Sequence, residues 1–298
     1  MAVSNEQLAG WTGPSSDTEQ DKQERTERMI REAITAHPAL EGFDFDVYTK
    51  GSYANKTNVR TDSDVDVVVE CREVTYWEEF DATKPGRPSS MSAYEGEWTP
   101  AKLRSEVRKA LEVKFPGEVT SGSTAFEIDS SSARVDADVV PCFSYRMYFS
   151  DGTYRDGTKL FKKDGTAIVN YSKLQLKNGG EKDKRTGGNY KKAVRILKRL
   201  ENVLVSAGLA KEVPSYLMEC LIYNCPDRYF TRSSWRSVMQ GCLADIYNYL
   251  RIAEPVEEAD RWVEVNGAKF LFSNQQKWNR AEVFTFAKVA WDYMGFED

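Results

Sequence analysis

Two short runs in which valine alternates with aspartate constrain this chain more than any other feature: DVDVVVE at 64–70 and VDADVVP at 135–141. Residues two apart on a strand project to the same side of it. Asp64 and Asp66 therefore face one point, while Val65 and Val67 face the other way into a core. Asp136 and Asp138 share a face in the same manner, with Val135, Ala137 and Val139 behind them. If the two runs lie side by side, acidic groups converge. Like charges held that close repel, and they raise a pKa unless a cation sits among them.

The residue types suggest which cation. Ligation by carboxylate oxygens alone suits Mg²⁺, which keeps several waters and is completed by substrate phosphates. Two such ions bridged by carboxylates are the usual arrangement for phosphoryl or nucleotidyl transfer. Gly51-Ser52, upstream of Asp64, reads as a turn whose backbone N–H groups and hydroxyl suit phosphate oxygens. Calcium held on flexible acidic loops fits less well, because these acids alternate with valines instead of filling a loop.

At 298 residues the chain is near the size at which a second domain is expected. A net charge of -5 argues against a broad nucleic-acid-binding face, which needs a basic field. The five cysteines are scattered, and His37 is the only histidine, so a zinc site is not expected and a reducing, cytoplasmic setting is. No stretch approaches 18 apolar residues, so no membrane span is expected.

Along the chain, residues 1–16 read as a polar lead-in anchored by Trp11, and Asp17 opens a helix with Met29, Ile30, Ala33 and Ile34 on its apolar side. FDFDVYTKGS reads as a strand closed by a glycine turn, and SDVDVVVECREVTYW as a buried strand. A loop over 81–98 leads to a helix capped by Thr99 with Pro100 at its first position. The stretch FPGEVTSGSTAFEIDSSSARVDADVVPCF reads as two strands with Ser130–Ser132 in the turn. Residues 143–188 read as short strands and the charged loop NGGEKDKRTGG. Four helical segments follow, the first with Ala193, Ile196, Leu197, Leu200 and Leu204 on one face and Gly208 as its stop. The expected class is α+β: a mixed-sheet catalytic core over 1–185, then a helical domain over 186–298, with a ligand cleft between them.

The text GSY-(x)9-SDVDVVV followed by VDADVVP resembles the polymerase-β-type nucleotidyltransferase signature. In detail it resembles the cGAS/DncV-like nucleotidyltransferases, bacterial relatives of cyclic GMP–AMP synthase and oligoadenylate synthase. The resemblance spans nearly the whole chain, with the specific motif in the N-terminal half. It implies that Gly51 and Ser52 contact a donor triphosphate, that Asp64 and Asp66 hold two Mg²⁺ ions (Mn²⁺ substituting), and that Asp138 is the third ligand. Asp136, on the same face, is the competitor for that place. VRILKRL resembles the family helix whose lysine reaches the phosphates, here Lys198. PSYLMECLIY resembles the next helix, where Ser215 would meet phosphate and Tyr216 would stack on a base.

The activity so implied is condensation of ribonucleoside triphosphates, ATP and a second nucleotide, into a cyclic di- or trinucleotide for antiviral signalling. The product would act on a separate effector protein, and a regulatory partner protein is compatible with this. Nothing resembles a DNA-sensing zinc ribbon, so direct activation by DNA is not expected. Two other readings stay open at this point: transfer to RNA ends or small acceptors, and a silent nucleotide-binding module. The filled carboxylate positions weigh against the second.

Overall fold

The computed structural model describes residues 3–59, 64–274 and 276–296. Two compact units emerge: Met1–Ser15 with Asn55–Val59 and Leu174–Asp298, and Ser16–Ala54 with Arg60–Lys173. The sequence pattern places a single boundary at 185, whereas this division follows Lys173 and gives the first fifteen residues to the helical unit. The reason lies in the N-terminal stretch, which is no loose lead-in. It forms α1 (Asn5–Gly10), capped by Ser4, with Leu8 fully buried. Arg199 donates to the Trp11 and Gly13 carbonyls, and Arg236 to the Val3 carbonyl.

In the sheet unit, the Ser16 hydroxyl accepts from the Glu19 N–H and starts α2 (Asp17–Thr35), which buries Ile30, Ala33 and Ile34. The chain continues through β1 (Phe45–Lys50), a four-residue α3 (Gly51–Ala54), β2 (Val65–Glu79) and α4 (Pro100–Lys114), which Thr99 caps. Ser63, where the pattern begins the second strand, lies outside the described residues. Then come β3 (Val119–Ser121), β4 (Phe126–Ile128), β5 (Ala137–Tyr148), β6 (Tyr154–Phe161) and β7 (Ala167–Asn170). The sheet order is β1-β2-β5-β4-β3, with β6 beside β5 and β7 beside β6. Among the described residues, β2 and β5 run parallel and the other strand pairs are antiparallel.

Val65, Val67, Val69, Val139 and Phe143 pack with Leu103, Val107 and Leu111 of α4 and with Ile30 and Ile34 of α2. Each such side chain contributes about 1.5–3 kcal/mol on burial. The alternation thus sends the valines to the core and leaves the aspartates on the other face. Three strands stand where two were expected between 115 and 143, because the Gly122–Ala125 turn separates β3 from β4. Pro141 lies inside β5 without breaking it. On that side, β4 pairing ends at Val139 and β6 pairing begins at Phe143, so its missing N–H falls in a gap.

The helical unit holds α5 (Ser172–Arg185, its first two residues belonging to the sheet unit), α6 (Asn189–Ser206), α7 (Ser215–Asn224), α8 (Trp235–Arg251) and α9 (Arg280–Met294). Where NGGEKDKR reads as a loop, the chain is helical. Two glycines disfavour helix by about 1 kcal/mol each, and tertiary contacts outweigh them. Lys182 is buried, with Nζ 2.7 Å from Asp227 and 2.8 Å from the Cys225 carbonyl. A side chain at Gly179 would come within 3.5 Å of Asn55 Oδ1. Among the described residues, no helix is long and apolar enough to cross a membrane.

Candidate active site

The site is built where β1 hands over to β2. β1 ends at Lys50, and Gly51 turns the chain with φ +71°, a conformation that glycine adopts without a Cβ penalty. A Cβ at position 51 would fall 2.1 Å from Asp66 Oδ2, so only glycine lets the turn lie against that carboxylate. Ser52 follows at the start of α3, half-buried.

Strand register places the acids. Lys50 pairs with Asp66 across β1 and β2, and Asp66 pairs with Asp138 across β2 and β5. Lys50 Nζ is 3.1 Å from Asp66 Oδ1. Asp64 immediately precedes β2 and is exposed. Asp136 precedes β5: its carbonyl accepts from the Val65 N–H at 3.0 Å, and its carboxylate accepts from the Ser130 N–H. Asp138 is therefore the residue level with Asp66, and Asp136 is drawn toward the turn before it.

The electrostatics agree with crowded negative charge. Burial pushes the Asp138 carboxyl up to about 6, helped by the charges of Asp66, Asp64 and Glu127 and opposed by Lys50. The protein around the base of Asp64 also raises its pKa by desolvation, with further contributions from Asp136, Asp66 and Glu127. Among the described residues, no three acidic, histidine or cysteine side chains are gathered tightly enough to enclose an ion as they stand. The donor set is nonetheless all oxygen, and its excess negative charge is of the kind a divalent cation neutralises. The residues fit Mg²⁺.

The other expected residues belong to the helical unit. Lys198 is no solvated surface lysine: only 3% of it is exposed, and Nζ lies 3.4 Å from Thr57 Oγ1. Thr57 also donates to buried Glu219 at 3.2 Å. Burial lowers the pKa of Lys198 and raises that of Glu219, while their opposite charges counter both shifts. Ser215 is exposed at the first turn of α7. Tyr216 is half-buried, its hydroxyl 3.1 Å from Glu264 Oε2 and 3.3 Å from Asn266 Nδ2. Thr57 and Glu127 carry no motif in the sequence, and Glu219 lies within PSYLMECLIY without a role of its own there; strand register alone brings Glu127 level with Asp138.

The model of the cGAS/DncV-like nucleotidyltransferase C-terminal helical domain matches residues 177–295. A cyclic dipyrimidine nucleotide synthase, CdnE, from Legionella pneumophila is 38% identical over 95% of both chains. The chain belongs to the cGAS/DncV-like nucleotidyltransferases. A second member of the family with the same name, from Cecembia lonarensis, is 32% identical over 98% of both chains. Among solved structures, Rhodothermus marinus CdnE c-UMP-AMP synthase with Apcpp and Upnpp superposes with a TM-score of 0.84 at 26% identity. That match covers 99% of this nucleotidyltransferase and 98% of the other chain.

Proposed function

We propose that the chain condenses ribonucleoside triphosphates into a cyclic dinucleotide containing pyrimidines, releasing pyrophosphate. The observation that carries this reading is the 38% identity, over 95% of both chains, to a cyclic dipyrimidine nucleotide synthase. The in-register pair Asp66 and Asp138 supplies its chemical basis.

Asp64, Asp66 and Asp138 would hold two Mg²⁺ ions, with Mn²⁺ able to substitute. When bound, the ions lower the pKa of the attacking ribose hydroxyl and neutralise charge on the transferring phosphate. Asp138 is assigned to the attacking hydroxyl, whose proton it would help remove. The Gly51 backbone and the Ser52 hydroxyl offset charge on the donor triphosphate. Lys198 and Ser215 are assigned to the same phosphates, and Tyr216 to stacking on a base. Lys198 has the smallest expected share, because its side chain is buried, with only 3% of the residue exposed. The product would act on a separate effector in bacterial antiviral signalling, and activity would not require DNA.

The base choice has a direct test. Purified protein with Mg²⁺ is given UTP, CTP, ATP and GTP singly and in pairs, and products are resolved by mass spectrometry. A cyclic product containing uridine or cytidine is expected. Products confined to adenosine and guanosine would overturn the pyrimidine assignment while leaving the cyclisation intact.

A further inference from the structure

The rung of the sheet that holds Asp66 and Asp138 extends in both directions. Lys50 pairs with Asp66, Asp66 with Asp138, and Asp138 with Glu127 on β4. Neighbouring strands are about 4.8 Å apart, and cross-strand partners stand on one face. Four adjacent strands thus present one positive and three negative side chains in a row. The charge of Glu127 acts on both Asp64 and Asp138, while that of Lys50 opposes it at Asp138. Glu127 is also seated: its Oε1 lies 2.8 Å from where a Cβ would stand at Gly122, so the carboxylate rests over a turn kept bare by glycine.

We propose that Glu127 and Lys50 are positioning residues that set the affinity of the metal centre in opposite senses. This rests on the reading of Asp64, Asp66 and Asp138 as metal ligands. Glu127 adds a fourth negative charge beside Asp138 and draws a divalent cation in. Lys50 occupies Asp66 Oδ1, and its ammonium must leave that oxygen before an ion takes it. The row therefore holds the acids together before metal arrives and yields to a doubly charged ion, which gains more from three carboxylates than one ammonium does.

Mn²⁺ binding to the nucleotide-free protein, read by electron paramagnetic resonance at pH 8 and low salt, tests this without turnover. Glu127→Gln is expected to weaken binding about 3–10-fold and Lys50→Met to tighten it about 3–10-fold, for one charge at this range in partly exposed surroundings. The double variant should return near the wild type if the effects add. Glu127→Asp, which keeps the charge, should recover much of the loss, and unchanged melting temperatures would show that the fold is intact. Wild-type binding that is indifferent to both single substitutions overturns this inference and leaves the metal centre standing. No Mn²⁺ binding by the wild type overturns the metal reading, and this inference with it.

Discussion

Asp138→Asn is expected to abolish nucleotide transfer and, in metal-free buffer above pH 6, to make the protein more stable. The loss of activity should be roughly a thousandfold, since on the proposed reading the change removes a metal-ligand charge and forfeits several kcal/mol of transition-state stabilisation. The gain in stability follows from the sign of the pKa shift. The folded state holds the Asp138 proton up to about pH 6, against 3.8 for an ordinary aspartate. Folding is then favoured most below the unfolded pKa, and that advantage is lost as pH rises through the folded value. Asparagine carries no charge to lose. Discounted for partial exposure and screening, the gain is about 1 kcal/mol at pH 7–8, a few degrees in melting temperature, and nothing at pH 4. Thermal melts in chelator at the two pH values, beside turnover assays, check both halves. A variant less stable than the wild type at pH 8 would show that Asp138 is not held among uncompensated negative charges.

Gly51→Ala should cost about 1–3 kcal/mol in stability and at least about a hundredfold in activity. Two separate causes act here. An alanine at φ +71° is strained, and its Cβ would collide with Asp66 Oδ2. Gly51→Asn separates them, because asparagine tolerates the left-handed region yet still brings a Cβ. The asparagine variant should lose less stability than the alanine variant but a similar share of activity. Equal activity in Gly51→Ala and the wild type would remove the turn from the donor site.

The contrast between 64–70 and 178–188 shows what the sequence discloses. The alternation of valine and aspartate fixes both the buried face of β2 and the charged one, since a register slip of one residue would put carboxylates in the core. Asp66 and Asp138 were legible for that reason, and strand pairing brought them level. The face alone does not separate Asp138 from Asp136; register puts Asp138 level with Asp66, and the Ser130 contact draws Asp136 toward the turn. In NGGEKDKR, local propensity points to a loop, and the helix is held by tertiary contacts such as that of Lys182 with Asp227, 45 positions away. FEI carries no motif, and Glu127 comes level with Asp138 only through the antiparallel pairing of β4 with β5. The family model that matches is that of the helical domain, although the residues with evident chemistry lie in the sheet unit.

The most direct test of the central claim, that the carboxylate rung joins nucleotides into a ring, is one reaction of purified protein with Mg²⁺ and α-labelled ribonucleotides. The products are treated with phosphatase and pyrophosphate is counted in parallel. The expected result is a product that loses no label to phosphatase, with one pyrophosphate released per nucleotide incorporated, absent when Asp64 and Asp66 are both replaced by alanine. Label that phosphatase releases completely, or a resistant product that survives the double replacement, would contradict it.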